Sequence, residues 1–267
     1  MNILRIIQDI EKTDPEVYER LNSRRSLFSS LSSFSTKAAI AAVPIALGSM
    51  FKKAYGQSAS GVLDVLNFAL TLEYLEDEFY KNGLASPTAI PADLRTVFTQ
   101  IGKHETAHVN FLITAISGAG GTPVTKPTFD FTAGGAFADV FTNPMTFMAV
   151  AQAFEDTGVR AYKGQAGNLI SSNEVLTAAL QIHSVEARHA AEVRRLRGQK
   201  GWITGNSRGD MPAATQAVYN GEDNVMQGGI MDVKTVTTAP LSAVTEGFDE
   251  PLTKDEVLAI ASLFIVS

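Results

Sequence analysis

The chain has 267 residues, 45% of them hydrophobic and 19% charged, with a net charge of −6 and no cysteine. That size suits one globular domain with segments appended at its ends. The missing cysteines exclude disulfides, thiolate metal sites and thiol catalysis, and the lack of a clustered basic face argues against a nucleic-acid partner. Any metal held here takes oxygen and imidazole nitrogen.

Residues 1–56 read as an export address. Ser23-Arg24-Arg25-Ser26-Leu27-Phe28 precedes Lys37 and an apolar stretch from Ala38 to Phe51, after which Lys52 and Lys53 lead into Ala54-Tyr55-Gly56. A charged region, a short apolar region and small residues at a cleavage point make a signal segment. The apolar stretch contains Pro44 and has 14 residues, too few for a membrane span of roughly 20, so no stable span is expected in the mature form. The paired arginines resemble the twin-arginine leader of bacteria, although Leu27-Phe28 reverses the usual order. The expected location is the periplasm or cell envelope of a bacterium, with cleavage after Gly56. The competing reading is a plain amphipathic helix on Ile3, Ile6, Ile7 and Ile10, followed by a buried Ala-rich helix.

Residues 57–198 carry four segments of helical periodicity. The first runs from Gly61 to Asn82 and the second from Pro91 to Ser117. The third starts at Asn143-Pro144, an N-cap followed by proline at the first helical position. The fourth starts near Ser171 and ends before Gly198, with Arg194, Arg195 and Arg197 in its last turns, where cations suit the helix dipole. Short links make the first pair and the second pair antiparallel hairpins, and Gly118 to Thr142 is long enough to cross the bundle between them. The fold class is therefore all-α, a four-helix bundle.

The two hairpins repeat one another. Glu73 and Tyr80 on the first helix match Glu155 and Tyr162 on the third, 82 residues on (155 − 73). Glu105 and His108 on the second match Glu186 and His189 on the fourth, 81 residues on (186 − 105). Each set lies on the stripe that should bury. Leu66, Ala69, Glu73, Glu76 and Tyr80 share one face, as do Ile101, Glu105, His108, Leu112 and Ala115. Met145, Met148, Glu155, Val159 and Tyr162 share another, as do Ala179, Ile182, Glu186, His189, Val193 and Leu196.

A carboxylate thus interrupts the apolar stripe of every helix at mid-height. Burying one unpaired carboxylate costs several kcal/mol, and four together also repel. Two divalent cations would balance four glutamates, with neutral imidazoles completing the set. Glu-x-x-His places both side chains on one face, and a Glu from each of two helices with Glu-x-x-His from the other two is a known way to hold two metals in a bundle. Tyr80 and Tyr162 lie one heptad from Glu73 and Glu155, in place to hydrogen-bond ligands.

On these residues the chain resembles the ferritin-like superfamily, and most of all the exported bacterial ferritin-like proteins of the desiccation-related type. The resemblance covers residues 61–198. It implies that Glu73 and His108 serve one metal, that Glu155 and His189 serve the second, and that Glu105 and Glu186 bridge the pair. The cofactors implied are two divalent ions, iron first and manganese second, with oxygen or peroxide as the small-molecule substrate and redox chemistry as the function. Iron binding or storage, or a stress-protective role without catalysis, is the alternative, and a homo-oligomer is compatible with either.

Other residues admit more than one reading. His104-Glu105-Thr106-Ala107-His108 spells the zinc-protease helix motif, but that reading leaves Glu73, Glu155, Glu186 and His189 unused, and Val185 stands at the repeat position of His104. His104, about 100° off the ligand stripe, is expected to flank the bundle. Glu76 reads as an extra ligand, a proton relay, a replacement for Glu73, or a charge at the bundle's edge. Gly158, its repeat counterpart, is expected to leave space through which a small molecule reaches the metals. His183, whose counterpart is Gly102, reads either as a residue supporting the site or as a satisfied core histidine. Asp77, Glu78 and Asp156 read as solvated, and Arg208-Gly209-Asp210 as a chance tripeptide. Residues 199–267 form an extension without a readable function. It is expected to pack on the bundle and to end in a short helix, with Thr253 and Glu256 as a capping box.

Overall fold

All four periodic segments are helices in the computed structural model, which describes residues 59–229 and 231–266. They are α1 (Ala59–Ala85), α2 (Arg95–Gly118), α3 (Pro144–Ala166) and α4 (Asn173–Leu196). The expected export segment lies outside the described residues. Asn143 caps α3 as expected, its side chain accepting from the Met145 N–H at 3.0 Å. Helix α2 begins at Arg95 rather than Pro91, because Leu94 N–H bonds back to the Pro91 carbonyl and closes a separate turn first. Helix α1 lies along α2 and α3 along α4, the two hairpins of a ferritin-like bundle.

The segment between α2 and α3 contributes Phe131, Phe137 and Val140 to the core. It also carries a two-residue strand, β1 (Thr128–Phe129), which pairs antiparallel with β2 (Ile265–Val266) at the far end of the chain. The core divides into two clusters. One is aromatic, built on Phe79, Phe98, Phe147 and Phe154; the other is aliphatic, built on Leu66, Leu70, Leu112 and Ile182.

The C-terminal extension carries two 3-10 turns, Ala213–Tyr219 and Val233–Thr235, then α5 (Leu241–Thr245) and α6 (Lys254–Ala261). As expected it packs on α3, through the first turn and α6, while α5 lies against the second turn. Helix α6 starts with the expected capping box, Thr253 and Glu256 bonding reciprocally. From Phe147 to Tyr162 every residue of α3 is buried, its polar ones included, because the extension covers the face that the other helices leave open. Buried polar groups lock the extension in place. Arg160, 1% exposed, pairs with Glu222 at 2.8 Å and donates to the carbonyls of Glu250 at 2.7 Å, of Asn220 at 2.8 Å and of Val218. Asp156 accepts both arms of Arg194 and the Tyr219 hydroxyl at 2.7 Å.

Several expectations need correction here. Asp156 and Asp77 are buried, not solvated. Asp156 balances Arg194 beneath the extension, while Asp77 accepts from Thr106 and Lys81 at 2.6 Å each. Met145 is 55% exposed, since the first turn of α3 projects beyond the packed layers. In keeping with the reading of Arg208-Gly209-Asp210 as a chance tripeptide, Asp210 is tied to Arg197 and Gln199. No helix among the described residues is long and apolar enough to cross a membrane.

Candidate metal centre

Four helices each bring one glutamate to the middle of the bundle, and the register of each is set by apolar residues one turn away. Glu73, Glu105, Glu155 and Glu186 are wholly buried, and His108 and His189 nearly so. The Nδ1 atom of His108 lies 3.2 Å from Glu73 Oε2, 3.0 Å from Glu105 Oε2 and 3.3 Å from Glu186 Oε1. The Nδ1 atom of His189 lies 2.9 Å from Glu105 Oε1 and 3.2 Å from Glu155 Oε2. Two donor groups result, Glu73/Glu105/His108/Glu186 and Glu105/Glu155/Glu186/His189, each with its ligand atoms within 4.8 Å of one another. Glu105 and Glu186 belong to both groups.

The two tyrosines cross between hairpins. Tyr80 on α1 donates to Glu155 Oε1 on α3, and Tyr162 on α3 donates to Glu73 Oε1 on α1 at 2.5 Å. Each of these glutamates therefore has one oxygen held by a phenol and only Oε2 turned to the centre.

Charge and hydrogen bonding both say that something positive belongs here. Glu105 Oε1, Glu155 Oε2, both Glu186 oxygens and His189 Nδ1 have no hydrogen-bond partner among the described residues. Buried polar atoms are rarely left so, and these converge on one space. Burial raises Glu73 to about 7 against the pull of His108. Burial, then the surrounding carboxylates, drives Glu186 and Glu76 well above the usual range. For Glu105 the burial effect is outweighed by the two imidazoles beside it, His108 and His189, and it falls to about 2. His189 rises to about 11 and His108 rises too, since the carboxylates around them outweigh burial. Without cations the core draws in protons instead. The donors present, hard oxygens and imidazole nitrogens in a shared cluster, fit iron, manganese or zinc.

Glu76 is 4% exposed, which corrects the bundle-edge alternative. Gly158 lies beside the centre, where a Cβ would stand 3.1 Å from Glu186 Oε2 and 3.4 Å from Glu76 Oε1, and together with Glu76 it lines a small pocket against Ile260 and Ala261. His183 is half-buried, its Nε2 unpartnered among the described residues, and burial and Lys163 lower its pKa. It is thus neither bonded to the centre nor a satisfied core histidine.

His104 flanks the bundle in an open cleft with Gln100, Lys103 and Arg188. Its ring stacks on His189 with centroids 5.1 Å apart, and its Nδ1 meets His189 Nε2 at 2.8 Å. It stands outside both donor groups, so the zinc-protease pairing of His104 with His108 is not formed. Nothing in the sequence pointed to this contact, since it joins α2 to α4 across the hairpins.

The fold and the centre define a four-helix bundle with a carboxylate–imidazole core able to hold metal ions. A family profile described as the ferritin-like domain matches residues 61–199. The chain belongs to that family. No curated protein matches it.

Proposed function

We propose that this chain is a di-metal carboxylate protein, with iron or manganese, that carries out redox chemistry on oxygen or peroxide in the bacterial cell envelope. The observation that carries the reading is the pair of donor groups sharing Glu105 and Glu186. In it Glu73 and His108 would hold one ion and Glu155 and His189 the other, with Glu105 and Glu186 available to both. Bound iron or manganese supplies electrons and Lewis acidity.

The residues of the chain do the rest. Tyr162 and Tyr80 occupy the outer oxygens of Glu73 and Glu155, so each offers a single oxygen inward. One such oxygen, one imidazole and the two shared carboxylates would offer an ion four donor residues, fewer than the roughly six oxygens and nitrogens an octahedral ion accepts. Sites that do chemistry keep such open positions, whereas structural sites close them. Glu76, buried beside Glu186 and next to Gly158, is placed to hold a proton at the edge of the centre. The surrounding core excludes bulk water.

Protein loaded with Fe(II) or Mn(II) should consume oxygen or hydrogen peroxide far faster than apo protein. His189→Ala should cut that rate while leaving the helical circular dichroism intact. A loaded wild type no faster than free metal would leave the alternative, a metal-holding or protective role, which the deep burial of all six donors favours. Export rests on Arg24 and Arg25, in the manner of the desiccation-related proteins. Replacing both by lysine should strand the uncleaved precursor in the cytoplasm, and an intact N-terminus on mature envelope protein would contradict cleavage near Gly56.

A further inference from the structure

The repeat makes the two ends of the bundle comparable residue by residue, and they are packed differently. At the Tyr80 end, Phe79, Phe98 and Phe147 fill the space between helices, with Phe79 stacked on Phe147 at 4.8 Å and Phe98 edge-on to it at 5.2 Å. By the same offsets, 82 residues between α1 and α3 and 81 between α2 and α4, their counterparts at the Tyr162 end are Ala161, Ala179 and Val65. Three aromatic rings are replaced by two methyls and an isopropyl group. Deleting buried bulk without refilling it leaves a cavity, and one is found there, lined by those three residues with Ala69, Leu112, Tyr162 and Ile182 among others.

Its position ties it to the centre. Ala69 lies one turn before Glu73, Leu112 one turn after His108, and Ile182 one turn before Glu186, while the Tyr162 hydroxyl bonds Glu73 itself. All four helices thus contribute a cavity wall directly beside the donor layer. The walls are almost wholly apolar. The centre of a water-sized sphere has about 20 Å³ in which to move, near the ~10–15 Å³ that a single water needs. Apolar cavities of this kind stay dry and take apolar guests. A diatomic gas fits, whereas an acyl chain does not, and hydrogen peroxide would meet almost no polar surface, since Tyr162 and Gln165 are the only polar residues among the walls.

We infer that this cavity is a binding site for dioxygen, holding it against the Glu73–His108 side of the centre. The inference rests on the proposed redox reading and deepens it, selecting oxygen over peroxide as the molecule that enters by this end.

The test uses dissolved oxygen itself as a paramagnetic probe, on the full chain carrying zinc or no metal. Methyl protons of Leu112 and Ile182 should relax several-fold faster under oxygen pressure than those of their repeat counterparts Val193 and Ile101, which are equally buried at the aromatic end. Ala179→Phe, which restores the ring found at the other end, should abolish the difference. Ala179→Leu fills less space and should do the same if the larger side chain disturbs folding. Equal relaxation at both ends, or a difference unchanged in both variants, overturns the inference. With iron bound, the filled variants should consume oxygen about tenfold more slowly, as a dry site for apolar guests is lost, yet react with hydrogen peroxide at the wild-type rate. Equal slowing of both reactions also overturns it. An iron-loaded wild type inert to both oxidants would instead defeat the redox reading, a result separate from the relaxation measurement because that needs no redox metal.

Discussion

Chelating the metal should reverse the pH dependence of stability. In the metal-free core, burial raises Glu73 from 4.5 to about 7. A carboxyl raised in the folded state contributes stability that is full below 4.5 and is lost as pH rises through 7. At ~1.4 kcal/mol per unit that is about 3 kcal/mol from Glu73 alone. Glu186 and Glu76 are raised as well and add in the same direction. His189, raised from 6.5 to about 11, contributes stability present below 6.5 and lost through 11, so the slope continues into alkali. Only Glu105, lowered to about 2, opposes this, and its contribution is lost as pH falls below 4.5. Metal-free protein should therefore melt higher at pH 5 than at pH 7: Glu73, half ionised at 7, loses about 2 of its ~3 kcal/mol across that window, or roughly 4–8 °C in a domain of this size. Metal-loaded protein should do the opposite, since acid protonates its ligands and displaces the ions. Calorimetry of both forms across that range is the assay. Metal-free protein that melts no lower at pH 7 than at pH 5 would mean that the glutamates do not share a buried, cation-seeking core.

Two further substitutions separate the supporting structure from the centre. Arg160→Ala leaves Glu222 buried without its partner and three backbone carbonyls without a donor. The loss should be about 3–5 kcal/mol, with protease cleavage appearing between Val218 and Glu222, and an unchanged digestion pattern would show that the clamp does not hold the extension. Gly158→Ala should leave metal-free stability unchanged or raise it by up to about 1 kcal/mol through helix propensity. It should also weaken metal binding in a calorimetric titration, because the new methyl stands 3.1 Å from a Glu186 oxygen.

What the sequence made legible follows from period and repetition. The four helices, the N-cap at Asn143 and the capping box at Thr253 are local events, set by residues within a turn of each other. The convergence of Glu73, Glu105, Glu155 and Glu186 was legible because each interrupts an apolar stripe at the same height. Contacts between distant segments were not. The pairing of β1 with β2 spans the crossover and the C-terminus, and Arg160 meets Glu222 through a folded extension that has no periodicity. The crosswise bonds of Tyr80 and Tyr162 depend on which helices face each other, which spacing alone leaves open. Glu76 misled for a related reason. Whether a charge on the inner stripe stays at the bundle's edge depends on what packs over it, and Glu76 is buried.

The most direct test of the central claim is the number of metal ions per folded chain, counted by native mass spectrometry on protein taken from its own compartment. The account predicts two ions per chain, with both lost in Glu105→Gln and in Glu186→Gln, because each of these residues belongs to both donor groups. One ion per chain, retained in Glu186→Gln and lost in His104→Ala, would contradict it.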